Sequence, residues 1–567
     1  MTDERRPEPD TEETGGGPAV SPWWRREWIL VGASWLIGAS VFFRRPIFSG
    51  FDRITGDSGD MRLIALLHEH WLDVMRGRAP WRSPKFFHPT PGVLGYSDTF
   101  ALNEVFYAPL RAIGLDRYAA LQGTLILLSL VGFLGCYLVC TRLIGAPRWL
   151  AIWLTAIGVF ANALTIQLGH PQLLGVYWLP LLVLLVARVF RTTGRQQVLA
   201  AFLAGALFGA VLWSTYYMAW FALLATIIFT LAMAVQMRAR LRRAGLRRLW
   251  ELTFRPASAA IVGCGLLMIP FLLTYLPTLK ASGGRPFSAA LYYAPYPRDI
   301  VNVGDRNLLW GGWLQRLFSD RPKRLRNVEL ASAVTPMVMV FALACGGVAL
   351  SRLRGNRTVS AAVSRSLVVL TCLLAVLPLK FGSFTLWRAV WAVVPGASGV
   401  RAIGRLQVLN AMVVPLAIAS YLTALGIGRT RAAAAGWRRW VMVAGLLLLC
   451  LEQVNSIDSA TVDRSDEVAF MASIPTPPAE CGSFFIVPHS MRQQHEVAID
   501  AMIVAQLTGV PTLNGYSGVS PPGWQLKTDS PDYLANVRVW IELHSLTGVC
   551  SYDETLRVWQ VDPLGAG

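Results

Sequence analysis

The stretch GDSGDMRLIALLHEHWLDVMR, residues 56–76, lies between the first two apolar blocks of the chain. It opens with two carboxylates, Asp57 and Asp60, and continues with a helical period. Leu63, Ile64, Leu67, Trp71, Val74 and Met75 fall on one face, and Arg62, Glu69, Asp73 and Arg76 fall on the other. This pattern predicts an amphipathic helix lying in a membrane interface. Asp57 is placed to cap that helix, and Asp60, three residues on, to complete a capping arrangement. A pair of acids at a membrane surface equally suits a reactive site, so capping and catalysis both remain open readings.

The rest of the chain makes that surface a membrane one. Of the 567 residues, 54% are hydrophobic and only 15% charged, and the mean hydropathy is +0.45. Those values exclude an ordinary soluble enzyme. The apolar residues come in blocks of about 20, the length that crosses a bilayer as a helix. Eleven spans are predicted, at 27–43, 119–141, 148–166, 172–190, 198–215, 217–236, 258–277, 331–351, 366–380, 406–427 and 437–454. The expected fold class is a polytopic α-helical membrane protein with a small C-terminal soluble α/β domain. Residues 1–26 read as a disordered cytoplasmic tail and 27–454 as the transmembrane domain. A long first extracytoplasmic loop covers 44–118, and 455–567 forms the α/β domain.

The net charge of +18 does not imply nucleic acid as a partner, because the arginines crowd into short loops on one side. They include Arg142, Arg148, Arg191, Arg195, the run 238–248, Arg352, Arg354, Arg357, Arg429 and Arg431. Beyond the tail, Glu251 is the only acid predicted on that side, which is therefore cytoplasmic. All seven histidines and nearly all other acids fall on the opposite face.

The loop continues as PWRSPKFFHPTPGVLGYSDTFALNEVFYAPL, residues 80–110, with a third acid, Asp98, then Asn103 and Glu104 before the second span. Gly169-His170-Pro171-Gln172 follows the third span, and PGASGVRAIGR, residues 395–405, precedes the tenth. In this order the motifs resemble a little-characterised bacterial branch of the integral-membrane glycosyltransferases with the C-type fold, the GT-C superfamily. That branch reads GD-x-GD, then F-x-P with YS-[DE], then GH-x-Q, then a late PG motif with two arginines. The resemblance implies transfer of a sugar from a polyprenyl-phosphate-type donor to an extracytoplasmic glycan, lipid or protein acceptor. It also implies a bacterial inner membrane location and contact with membrane lipids. Much of the superfamily carries an adjacent acid pair or D-x-D. The D-x-x-D spacing here leaves open which acid is the base and whether a divalent metal is used; no cofactor is indicated.

The chemistry asks for these residue types. A carboxylate at a low-dielectric boundary has a raised pKa, and a second carboxylate raises it further, which suits a general base. Asp57, Asp60 and Asp98 are the catalytic candidates. A leaving phosphate calls for arginine. Arg401 and Arg405 are four apart, so a helix would align them. His170, Gln172, Tyr96 and Glu104 complete the substrate-binding candidates, with Lys380 and Arg388 nearby and Glu329 as a further acid or a mere span end. For the arginines the competing reading is contact with lipid headgroups. His68 and His70 are two apart on a helix and make a poor metal pair.

In the C-terminal region, SFFIVPH and LRVWQVD read as strands and AIDAMIVAQLTGV as an amphipathic helix. Cys481 precedes the first strand and Cys550 the last, so neighbouring strands would bridge them. Two other functions compete with glycosyl transfer: a transporter or flippase for a lipid-linked glycan, and a non-catalytic scaffold of the same fold. Transporters typically carry internal repeats and charges within spans, and this sequence shows no repeat.

The expected orientation is tested with a reporter active only outside the cytoplasm. Fused after residue 560 it should be active, and fused at residue 245 it should be silent. The opposite pattern would put the acid loop in the cytoplasm.

Overall fold

The computed structural model describes residues 23–563, apart from 245, 332, 357, 427–435, 459 and 489–491. The tail up to residue 22, Arg357, Arg429, Arg431 and His489 lie outside the described residues. Among the described residues, eight helices are long and apolar enough to cross a membrane. They are Arg117–Ile144, Arg148–Gly169, Pro171–Arg191, Gly194–Ser214, Tyr216–Arg240, Thr253–Ser282, Val359–Val376 and Ile403–Ala424. Each overlaps an expected span. The other three expected spans fall on shorter apolar helices, Glu27–Phe42, Pro336–Arg352 and Trp440–Leu451. The protein is a mostly helical membrane protein.

Local chemistry sets the boundaries. The helix Val359–Val376 starts earlier than expected because the Thr358 side chain accepts the Ala361 N–H. It stops just short of Pro378, which disfavours the helical conformation before it. Helices Gly194–Ser214 and Leu246–Ser282 pack backbone to backbone: a Cβ on Gly205 would lie 1.9 Å from the Ala260 carbonyl oxygen. Ile403–Ala424 is almost wholly enclosed by its neighbours, whereas Thr253–Ser282 faces outward.

The helix predicted at residues 60–76 forms as Asp60–Met75, but it is not a surface helix with one face exposed. It is buried on both faces from Met61 to Leu72. The C-terminal region covers the face expected to be polar. Arg62 donates to Glu467 at 2.9 Å and pairs with Asp500. Glu69 is held by Arg111 and by the Tyr107 hydroxyl. Amphipathic periodicity located the helix correctly, yet it carries no information about partners supplied from the far end of the chain.

In the C-terminal region, strands Ser483–Val487, Val549–Asp553 and Val558–Val561 form one sheet in that order, the first pair parallel and the second antiparallel. Helix Gln494–Thr508 is buried throughout its middle, Val497 to Ala505, because it packs between this sheet and the helix Asp60–Met75. It is therefore not amphipathic in the way its sequence suggested. Arg53–Ile54 pairs with Val462–Asp463, and the Phe87 and His88 N–H groups donate to the Asn514 and Thr512 carbonyls. First loop and C-terminal region thus share walls. Cys481 and Cys550 form a disulfide, with Cα atoms 5.5 Å apart. Its geometry differs from expectation: Cys550 lies inside the middle strand, beside Phe484, and LRVWQV supplies the outer strand.

Arg62 is buried against two carboxylates, so removing it takes a counter-charge from both, leaving Asp500 to Arg492 and Glu467 to the Tyr118 hydroxyl. Arg62→Ala should destabilise the detergent-solubilised protein by about 3–5 kcal/mol, read as a large drop in unfolding midpoint. An unchanged midpoint would show that the network does not fasten the two regions.

Candidate active site

Gly56 sets the acid pair. Its φ is +124°, and a Cβ there would lie 2.4 Å from the Met61 Cβ, so glycine is required. After this turn, Asp57 Oδ1 accepts the N–H groups of Gly59 at 3.1 Å and Asp60 at 2.6 Å. Asp57 thus bonds the first N–H groups of the helix, but from two residues before its N-cap, Gly59. Asp60 does not complete a capping box. Its Oδ2 accepts instead from His170 Nδ1 at 2.7 Å and Gln172 Nε2 at 2.9 Å. GH-x-Q therefore lies directly on GD-x-GD.

The pair is electrically divided. Burial, and then the charge of Asp60, raise the Asp57 pKa against the backbone hydrogen bonds. Burial also opposes ionisation of Asp60, but the His170 bond and charge, Gln172 and Arg405 outweigh it and hold Asp60 below the usual value. Asp60 stays ionised and Asp57 takes up protons at higher pH.

Beyond His170 the polar chain continues. His170 Nε2 lies 3.5 Å from Glu329 Oε1, and Glu329 binds Arg405 with both oxygens. Glu329 is thus more than the end of a span; the following helix starts only at Pro336. Arg401 and Arg405 do not share a helix face. The helix Leu406–Ala424 begins after Arg405, behind a 3₁₀ turn at Ile403–Arg405. The Tyr217 hydroxyl, which accepts the N–H groups of Arg401 at 2.9 Å and Ala402 at 3.3 Å, holds this entry open. Gly396 is needed just upstream: its φ is +82°, and a Cβ would lie 2.5 Å from the Tyr216 hydroxyl. Arg405 is buried over the Tyr217 ring, whereas Arg401 is exposed over Tyr293.

Sequence reasoning missed Arg285. Burial first, and then the charges of Arg401 and Arg405, lower its pKa. Nothing local in SGGRPF distinguishes this arginine from others at span ends. Also missed were Tyr516 and His495, which lie over Gly59. Tyr516 lies in the aromatic, turn-rich stretch NGYSGVSPPGW, residues 514–524, and nothing local in it says which part of the chain it meets.

Asp98 Oδ1 accepts the Tyr216 N–H at 3.0 Å, capping the helix Tyr216–Ala244. Burial pushes its pKa up to about 6, and the charges of Arg405 and Asp60 both reach it. Tyr96 is buried near Phe87, with ring centroids 6.1 Å apart, and its carbonyl accepts from Ser517. Glu104 lies elsewhere, paired with His68 beneath the helix Asp60–Met75. Lys380 Nζ donates to the Leu291 carbonyl at 2.8 Å, and Arg388 stands over Phe287. Among the described residues, no group of three or more His, Cys, Asp or Glu side chains is disposed to hold a metal.

No protein-family model and no curated protein sequence matches the chain. Solved structures do. One is the apo oligosaccharyltransferase of Archaeoglobus fulgidus, 12% identical, with a TM-score of 0.50, covering 94% of this chain and 69% of that one. Another is the arabinofuranosyltransferase AftD from Mycobacteria, 17% identical, with a TM-score of 0.50, covering 88% of this chain and 32% of that one. Both are GT-C membrane glycosyltransferases. The chain has the GT-C fold. Within the GT-C fold of this chain, the acid pair lies in the loop between the first two apolar helices, where the motifs indicated it.

Glu329→Gln leaves Arg405 buried without its counter-charge. The unfolding midpoint should fall, at a cost of about 3–5 kcal/mol. Inorganic pyrophosphate should restore more of it than it adds to the wild type, because only in the variant is the Arg405 guanidinium released from Glu329. Equal effects of pyrophosphate on both proteins would show that Arg405 does not face an anion site.

Proposed function

We propose that this chain is a membrane glycosyltransferase that moves a sugar from a polyprenyl-phosphate-type donor to a glycan, lipid or protein acceptor. The observation that carries this reading is the meeting, on a GT-C fold, of the Asp57–Asp60 pair with Arg285, Arg401 and Arg405. In this reading all eleven apolar helices cross a bacterial inner membrane and the basic loops face the cytoplasm. The acids then open to the other side, beneath the small α/β region.

Asp57 is the general base. Its raised pKa makes it the better proton acceptor of the pair, and Asp60 stays ionised beside it. The acceptor hydroxyl loses its proton to Asp57 as its oxygen attacks the anomeric carbon. The bond from that carbon to the phosphate oxygen breaks, and the phosphate leaves with the electron pair. Arg401, Arg405 and Arg285 stabilise the charge that develops there. Asp98, whose Oδ1 holds the start of the helix Tyr216–Ala244, serves as a substrate contact.

Purified protein is incubated with a panel of polyprenyl-phosphate and polyprenyl-diphosphate sugars, and lipid phosphate release is followed. Asp57→Asn should insert normally and lose about 10²–10⁴-fold in turnover. The reaction needs unprotonated Asp57, so its acid limb follows the Asp57 pKa. Asp60→Asn removes a charge that raises this pKa, so the acid limb of kcat/KM should move to lower pH. Wild-type turnover in Asp57→Asn would move the base elsewhere, and no release from any donor would defeat the assignment.

A further inference from the structure

We propose that Tyr516 and His495, from the C-terminal region, form a wall that contacts the sugar ring being transferred. The inference rests on the glycosyltransferase reading and names the part of the site that holds the sugar. The segment Tyr516–Gly518 is strung between the two charged halves of the site. On the side of the first loop, Ser517 Oγ donates to the Tyr96 carbonyl at 2.6 Å. On the side of the arginines, Arg285 Nη2 donates to the Gly518 carbonyl at 3.2 Å. The Tyr516 ring therefore stands between acids and arginines.

Its position over the acid loop is close. A Cβ on Gly59 would lie 3.1 Å from His495 Cδ2 and 3.4 Å from the Tyr516 hydroxyl. The two rings are 5.6 Å apart at 40°. Ser58 Oγ donates to Glu496 at 2.8 Å and lies 3.4 Å from His495 Nε2, which ties this wall to the acid loop. Burial, then the charges of Asp60 and Asp57, push the Tyr516 pKa up to about 12, against the charge of Arg401. The phenol is thus a neutral hydroxyl throughout the physiological range. Both side chains are only half-buried.

The bond to be broken joins the anomeric carbon to a phosphate oxygen. With the phosphate on the arginines and the acceptor hydroxyl on Asp57, the sugar has to occupy the space between, which Tyr516 borders. An aromatic face suits the apolar C–H face of a pyranose or furanose. The phenol and imidazole at its rim offer hydrogen bonds to sugar hydroxyls, the few placed polar groups that give such a site its selectivity.

The test uses the full-length protein and two readouts. Saturation-transfer NMR with methyl glycosides of hexoses and pentofuranoses reports sugar contact without any reaction. Wild type and Asp57→Asn should both show contact with at least one glycoside. Tyr516→Ala and His495→Ala should lose it, and Tyr516→Phe should keep part of it. In the transfer assay Tyr516→Ala should raise the donor KM about tenfold with a smaller change in kcat. Unfolding midpoints control for folding, and Tyr516→Leu, which keeps bulk without a ring, replaces an unfolded Tyr516→Ala. Wild-type glycoside contact in the folded Tyr516 variants, or no contact in the wild type, would overturn the inference. Tyr516-dependent contact without turnover of any donor would leave the wall standing and defeat the transferase reading instead.

Discussion

Arg62 has lost its water and sits between two carboxylates, Asp500 and Glu467, that belong to the far end of the chain. A buried guanidinium without such partners would cost several kcal/mol. That constraint ties the first loop to the C-terminal region and makes their folding one problem. Asp57 and Asp60 stand just before Arg62 at the start of the same helix, so what fixes the helix also fixes the acids. The pairing of Arg53–Ile54 with Val462–Asp463 and the bridge from Gly56 to Ala460 extend the same seam.

Charge is laid out across the site in an ordered way. Asp57 and Asp60 stand at one end, His170 and Glu329 in the middle, and Arg405, Arg401 and Arg285 at the other. Asp60 with His170 and Glu329 with Arg405 are paired, which offsets part of the charge gathered beside the apolar helices. At the arginine end Arg285 is partly desolvated and feels the charges of Arg401 and Arg405, which an anionic leaving group would offset. The tyrosines do a second job. Tyr216 and Tyr217 hold the loop of residues 395–402 by hydroxyl bonds to its backbone, so the arginines are placed by groups that carry no charge of their own.

Much of the architecture was legible because hydrophobic length and loop charge are local signals. Every long span coincided with an apolar block, and the expected Cys481–Cys550 disulfide formed, though from within the middle strand and not from before the last one. The motif order singled out Asp57, Asp60, His170 and Gln172, and the structure sets His170 and Gln172 on Asp60. Other readings failed for identifiable reasons. Glu104 sits near the acids in sequence, but its helix turns it toward His68. Arg401 and Arg405 have helical spacing, yet the helix starts only at Leu406, and the Arg401 N–H is bonded by the Tyr217 hydroxyl instead. The helix Asp60–Met75 has an amphipathic period, yet its polar face is satisfied by protein instead of water.

The sequence by itself determined that the chain is a helical membrane protein, where its apolar helices run, and which short motifs carry acids, histidine and arginine. These follow from composition and period, which act over a few residues. Only the tertiary structure decided which of those groups meet. It set Glu329 on Arg405, brought Arg285 beside them, and laid Tyr516 and His495 over Gly59. The reason is physical: hydrogen bonds and ion pairs act over a few ångströms in space, and the partners that satisfy a buried charge can come from anywhere along the chain.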